Sequence, residues 1–191
     1  ELGLIATNCA GLGPYLESGQ LSLNRGPEKR MLPQGLLLRG GHPSFPQAQR
    51  IAANPNLCRI LGHLLNQGHK LGGVTLTYGH RKCSKSKSGS SLDGDCTRVS
   101  QHFNGEGIDI ARIDGQGVGS SGWLETTRAI QADLQSNAKN LGIYQLFGPN
   151  RLFLSQCQPA SSARSGIISD HRDHIHIGAL AERHSGLGGC K

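Results

Sequence analysis

Hydrophobic positions along this chain follow two periods, one typical of helices and one typical of strands. Between residues 46 and 70 apolar side chains recur every three or four positions, which predicts a helical segment interrupted or kinked at Asn54-Pro55-Asn56. Residues 123–140 show the same period and predict a second helix. Alternating or β-branched segments predict strands at 74–78, 107–113, 143–147 and 174–180. This order predicts an α+β fold, a small single domain in which helices flank a central, mainly antiparallel sheet.

The first quarter of the chain has turn signals but no sustained period. We therefore predict that residues 1–44 form an extended N-terminal arm that packs against the domain and is tied down through Cys9. Residues 45–184 would then form the domain itself, and residues 185–191 a C-terminal tail. The chain begins with Glu1 rather than Met, which suggests that a leader or an upstream domain has been removed.

Composition indicates that burial alone does not stabilise this fold. Only 36% of the residues are hydrophobic and 4% aromatic, whereas 28 of 191 are glycine. Six cysteines lie at positions 9, 58, 83, 96, 157 and 190 without any CxxC pair, which favours disulfides over reduced thiols. Local spacing favours Cys83–Cys96. We therefore expect a disulfide-supported protein that is secreted, periplasmic or associated with the cell wall.

Charge narrows the class of partner. A net charge of +7 favours an anionic partner such as a cell-wall polymer, the alternative being a solvated basic surface. The basic residues are dispersed and aromatic residues are few, so no nucleic-acid partner is expected. No segment approaches the roughly 20 apolar residues of a membrane span, and we expect a monomer.

Two separate segments carry side chains that typically bind zinc. His102 and Asp109 are an odd number of residues apart, but Gly105 and Gly107 allow a turn between them, so both side chains can reach one ion. His174 and His176 differ by two and share one face of their strand. Three nitrogen or oxygen ligands with an open fourth position are typical of catalytic zinc, which predicts Zn²⁺ as the cofactor.

Charged residues near these segments are candidates for catalysis. Asp173 lies three residues before His176 and is predicted to take a proton from water as the general base, with Asp170 as the alternative. Arg81 follows a predicted strand and could stabilise a developing oxyanion or bind a substrate carboxylate. His174 is a second candidate for the oxyanion.

The segment Ser100-x-His102-x-x-Gly105-x-Gly107-x-Asp109 resembles the SxHxxGxAxD motif of the zinc D-Ala-D-Ala peptidase family, with Gly107 in place of the usual alanine. That family includes D-Ala-D-Ala carboxypeptidases and L-alanyl-D-glutamate endolysins. His174-Ile175-His176 is similar to the HxH segment of the carboxypeptidases, the murein endopeptidases and the Hedgehog signalling domain. The resemblance covers about residues 74–178 and implies a small α+β domain with an open groove.

The resemblance also implies roles for individual residues. It implies His102, Asp109 and His176 as the metal ligands, with His174 beside the metal. Asp173 occupies the position of the endolysins' catalytic acid, and Asp170 that of the Hedgehog domain's glutamate. Tyr78-Gly79-His80-Arg81 resembles a Gly-Tyr-Arg segment whose arginine helps to bind substrate, although one residue is inserted. Ser100 opens the motif and is expected to contact substrate too.

The resulting prediction is a zinc metallopeptidase that cleaves peptidoglycan stem peptides at a D-Ala-D-Ala or L-Ala-D-Glu bond by metal-activated water. One alternative is a zinc-bearing domain that binds cell wall or protein without turnover, because such domains keep the ligands. Another is a zinc hydrolase for a different bond, such as an amidase or an ordinary protease.

Overall fold

The computed structural model describes residues 9–24, 31–32, 35–39, 50–76, 83–86, 96–150, 152–160 and 169–181. For 31–32, 35–39, 50–52, 83–86, 96–99 and 160 it describes the backbone alone. The helices are α1 (Gly13–Glu17), α2 (Pro55–Asn66), α3 (Leu124–Ser136) and α4 (Ala138–Leu141). The strands are β1 (Leu21–Leu23), β2 (Met31–Leu32), β3 (Gly35–Arg39), β4 (Arg50–Ala52), β5 (Leu71–Thr75), β6 (Cys83–Ser86), β7 (Cys96–Val99), β8 (Gly107–Ile113), β9 (Gln116–Gly117), β10 (Ile143–Phe147), β11 (Phe153–Ser155), β12 (Gln158–Ala160) and β13 (Ile175–Ala179).

A central sheet of eight strands organises the domain. Its order is β1-β5-β8-β13-β10-β11-β12, with β9 paired to β8. The pair β1–β5 is parallel, whereas the other pairs in this sheet are antiparallel. The predicted α+β domain with a mainly antiparallel sheet is therefore confirmed. None of the helices in the described ranges is long and apolar enough to cross a membrane.

The two faces of the central strands differ in polarity. Ile108 and Ile110 of β8, with Ile175 and Ile177 of β13, are fully buried on one face, together with the apolar side of α2. Asp109, Ala111 and His176 lie on the other face and are partly exposed. We call this second side the site face. Alternation through residues 108–111 places Ile108 and Ile110 in the core and Asp109 on the site face, and it ends there, since Arg112 is exposed and Ile113 is buried.

Helix α2 begins later than its period suggested. Residues 50–52 form a strand, so the helical prediction for 46–70 is wrong for 50–54, whereas 46–49 lie outside the described residues. Asn54 is the N-cap and accepts a hydrogen bond from the backbone N–H of Asn56, and Pro55 occupies the first turn. Proline therefore starts this helix rather than kinking it, because no intrahelical N–H is needed at that position.

Within the predicted N-terminal arm, residues 9–24 pack into the domain. This segment contains α1 and adds β1 to the sheet, and its side chains Leu12, Leu21 and Leu23 are buried in the core. A disulfide joins Cys9 to Cys58 in α2, which confirms that Cys9 ties the segment down. Residues 1–8 and 25–30, most of 31–49 and the predicted tail at 185–191 lie outside what the structure describes.

Cysteine pairing is known in part. Cys157 is disulfide-bonded as well, whereas the side chains of Cys83 and Cys96 lie outside the described residues, so their pairing stays a prediction. In the β6–β7 hairpin, Cys83 lies opposite Val99 and Cys96 lies opposite Ser86. The two cysteines are therefore offset along the hairpin rather than opposite each other.

Candidate metal centre

Strand register brings the two predicted metal segments together in the middle of the sheet. His176 on β13 lies directly opposite Asp109 on β8, and Thr75 on β5 lies opposite Asp109 on the other side. Phe147 on β10 lies opposite His176. These four residues form one row across the site face, with Asp109 and His176 at its centre.

His102 reaches the same place from a turn. Gly105 has a φ of 70°, which reverses the chain between His102 and Asp109 as the sequence predicted. A Cβ on Gly107 would lie 2.8 Å from both the backbone nitrogen and Cγ of His102. Glycine at 107 is therefore what lets the imidazole lie directly against β8, and an alanine here would displace it.

The three candidate ligand atoms converge. Asp109 Oδ1 lies 2.8 Å from His176 Nδ1, and His102 Nε2 lies 3.2 Å from each of these two atoms. Zinc–ligand distances of about 2.0–2.1 Å imply roughly 3.3 Å between ligand atoms in a tetrahedral site, close to what is observed. The cluster of His102, Asp109 and His176 could therefore hold a metal ion.

Hydrogen-bond acceptors lie on the far sides of both imidazoles. The carbonyl of Leu76 accepts from His102 Nδ1, and the Oε1 atom of Gln101 lies 3.3 Å from His176 Nε2. His176 Nδ1 also lies 2.8 Å from Asp109 Oδ1, so the proton of this ring has an acceptor on either side. A cation in the cluster would favour the tautomer in which Nε2 donates to Gln101 and both near nitrogens present lone pairs. Such a set of converging acceptors fits a cation.

Burial keeps the His176 ring uncharged and yet leaves the cluster accessible. Desolvation lowers the pKa of His176 to about 4, although the Asp109 carboxylate raises it, so the ring is neutral at physiological pH. His102 is 4% exposed, whereas the side chains of Asp109 and His176 keep 17% and 12% of their exposure. A surface-accessible cluster of three ligands matches a catalytic site better than a closed structural one.

A histidine–aspartate pair lies beside the cluster. Asp173 Oδ1 accepts a hydrogen bond from His174 Nδ1 at 2.8 Å, and His174 Nε2 lies 3.8 Å from Asp109 Oδ1. The Asp173 side chain is 80% exposed, and the hydrogen bond from His174 lowers its pKa. The group that faces the cluster is therefore the imidazole of His174, and the carboxylate lies behind it.

The remaining predicted site residues are Asp170, Ser100 and Arg81. Asp170 is exposed and accepts a hydrogen bond from the hydroxyl of Ser169. Ser100 is partly buried at the start of the turn that carries His102, and its carbonyl accepts from the backbone of Asn104. Arg81 lies outside the described residues, so its substrate role stays a prediction.

Sequence reasoning missed three side chains at this site. Gln101 holds His176, Phe147 stacks on His176 at 5.9 Å between ring centroids, and His171 lies 5.0 Å from His174 and 5.5 Å from His176. Gln101 directly precedes a predicted ligand, and His171 lies three residues before His174, so the sequence contained a signal for both residues. Phe147 had no local signal, because only register places it beside a ligand.

Comparison with known proteins finds no matching family model, no similar curated protein and no similar solved structure. Functional assignment of this centre therefore depends on the residues of this chain.

Proposed function

We propose that this chain is a zinc-dependent peptidase that hydrolyses a peptide bond in bacterial peptidoglycan stem peptides, at a D-Ala-D-Ala or L-Ala-D-Glu linkage. The observation that carries the proposal is the convergence of two imidazole nitrogens and one carboxylate oxygen, with an acceptor on the far side of each ring that can hold its proton away from a metal ion. Two nitrogen ligands and one oxygen ligand suit zinc in a catalytic role. When bound, zinc would supply Lewis-acid chemistry that acidifies water and polarises a carbonyl.

His174 is the group best placed to move protons at this site. Its Nδ1 donates to Asp173, so its Nε2 carries a lone pair directed towards the cluster, 3.8 Å from Asp109 Oδ1. We therefore assign to His174 the acceptance of a proton from the attacking water and its transfer to the leaving amine.

Asp173 supports this histidine. Its carboxylate holds the ring in one tautomer and stabilises the imidazolium that forms during proton transfer, and its lowered pKa makes it a weak base itself. This assignment replaces the direct general-base role predicted for Asp173 from sequence. Arg81 remains the candidate for substrate carboxylate binding.

The substrate class and location come from three features. The segments around His102 and His176 resemble the zinc D-Ala-D-Ala peptidases, whose substrates are cell-wall peptides. The net charge of +7 favours an anionic polymer such as the wall. The Cys9–Cys58 disulfide favours an oxidising compartment, so we expect a secreted or periplasmic protein.

The test is digestion of purified peptidoglycan by the full chain, with mass spectrometry of the released fragments. We expect new amine termini that disappear with a chelator and return when zinc is added. His174→Ala should abolish release while the protein still binds zinc, and His102→Ala should lose zinc. His69→Ala, at a partly exposed histidine paired with Asp114, is the matched control and should keep both properties.

Two results would contradict the proposal. A chain that binds zinc and wall but releases nothing from walls of several chemotypes would instead be a non-catalytic binding domain. Release that survives His174→Ala but not Asp173→Ala would return the general-base role to the carboxylate.

A further inference from the structure

The loop between β9 and α3 lies directly against the segment that carries Asp173. A Cβ on Gly119 would lie 2.1 Å from the carbonyl oxygen of Arg172, and 3.1 Å from both the carbonyl carbon of Arg172 and Cα of Asp173. Side-chain atoms do not approach backbone atoms this closely, and backbone cannot yield as a flexible side chain does. Only glycine allows this contact between the two backbones.

The loop is itself fixed to the rest of the domain. Val118 is fully buried, and its backbone N–H donates to the carbonyl of Ala111 on β8 at 3.1 Å. Its carbonyl accepts a hydrogen bond from the buried hydroxyl of Thr127 on α3 at 2.8 Å. Strand β8 also carries Asp109, so the loop and the metal cluster share one support.

Asp173 needs such support from its backbone. Its side chain is 80% exposed, so burial does not restrict its rotamers, and residues 171–174 lie in turns and bends rather than in a strand. The hydrogen bond to His174 therefore depends on where the backbone of Asp173 lies. The backbone contact with Gly119 restrains that position.

We propose that Gly119 is a positioning residue, which holds the backbone of Arg172 and Asp173 so that the Asp173 carboxylate can orient His174. The predicted changes in rate rest on the proposed function. The backbone contact of Gly119 and the hydrogen bond between His174 and Asp173 that it maintains are independent of the reaction. The candidate metal ligands lie on β8, on β13 and in the turn at 102, whereas the three atoms nearest a Cβ on Gly119 belong to Arg172 and Asp173.

Gly119→Ala tests this inference in the zinc-loaded chain. To relieve a 2.1 Å contact, the 172–173 backbone must move by about 1 Å, a misplacement that can cost up to about 100-fold in rate. We expect kcat to fall by about 10- to 100-fold while KM and zinc affinity stay unchanged. Gly122→Ala is the matched control, because its Cβ would meet nothing within 4 Å, and it should behave as wild type.

A double-mutant cycle shows whether Gly119 acts through Asp173. In an Asp173→Asn background, Gly119→Ala should cause no further loss of kcat, because the interaction it disturbs is already gone. Losses that multiply in the double variant would overturn the inference. So would an unchanged kcat in Gly119→Ala, or a zinc affinity that falls together with the rate.

Two further measurements cover other outcomes. If Gly119→Ala does not fold, Thr127→Val removes the hydroxyl that anchors Val118 without adding atoms, and should lower kcat in the same way but less; an unchanged kcat would overturn the inference. If the chain has no peptidase activity, NMR of the zinc-loaded chain still tests whether Gly119 positions Asp173. The His174 Nδ1–H resonance, identified by its loss in His174→Gln, should persist in Gly122→Ala and shift or vanish in Gly119→Ala. An unchanged resonance in Gly119→Ala would overturn the positioning role.

Discussion

Gln101 offers a sharp test of the metal centre, because it touches a candidate ligand without being one. Its Oε1 accepts a hydrogen bond from His176 Nε2 at 3.3 Å, and it lies so close over Gly178 that a Cβ there would be 2.0 Å from the same oxygen. Gln101→Ala removes the acceptor for a proton on His176 Nε2. The tautomer with the proton on Nδ1, the nitrogen that would bind metal, then becomes more favourable, because Asp109 still accepts from it.

The expected loss of zinc affinity follows from the length of the hydrogen bond between His176 and Gln101. Removal of an outer hydrogen-bond partner of a metal-binding histidine typically costs about 10- to 100-fold in affinity. The observed 3.3 Å is longer than the usual N–H···O distance, which places Gln101 at the lower end of that range. We therefore expect Gln101→Ala to weaken zinc binding about tenfold, or about 1.4 kcal/mol.

The assay is competition for zinc against a chromophoric chelator at neutral pH, with circular dichroism to show that each variant is folded. Gln101→Glu keeps an acceptor opposite Nε2 and should retain or increase the affinity. Gln116→Ala, at an exposed position on β9, is the matched control. A folded Gln101→Ala chain that binds zinc as tightly as wild type would refute the tautomer argument.

Three further predictions concern the fit of His102 and the stability of the fold. Gly107→Ala should weaken zinc binding, because a Cβ would lie 2.8 Å from His102, whereas Gly117→Ala meets nothing within 4 Å and should not, as chelator competition would show. Cys9→Ala should lower the free energy of unfolding by about 2–4 kcal/mol in urea, because its disulfide closes a loop with a sequence separation of 49; an unchanged midpoint would contradict this. Burial opposes ionisation of Asp114, but hydrogen bonds from a backbone N–H and a histidine lower its pKa. The ionised Asp114 carboxylate therefore stabilises the fold by at most about 1 kcal/mol. This contribution is present above the pKa of Asp114 in the unfolded chain and is lost as the pH falls through its lower pKa in the folded chain. The difference in the free energy of unfolding between wild type and Asp114→Asn should therefore close in acid.

Local sequence determined much of the framework. The alternation in residues 107–113 predicted strand β8 and its two faces, and the glycines between His102 and Asp109 predicted the turn that joins them. These features depend on backbone conformations that neighbouring residues impose on one another, so a single segment contains the information. The identity of the ligand cluster could be predicted for the same reason, once the resemblance selected His176.

Tertiary structure alone decided how the site is completed. The sequence predicted that His174 and His176 share one face of a strand, but β13 begins at Ile175. Only the register of β13 against β8 places His176 opposite Asp109, whereas His174 lies in the preceding bend, beside the cluster. Likewise, only the packing of distant segments brings the Gln101 amide to His176 and Gly119 to the backbone of Asp173. Register and packing depend on partners far away in the chain, and their energies come from buried side chains rather than from local propensity. For that reason, the candidate metal ligands could be predicted from sequence, whereas the groups that orient them could not.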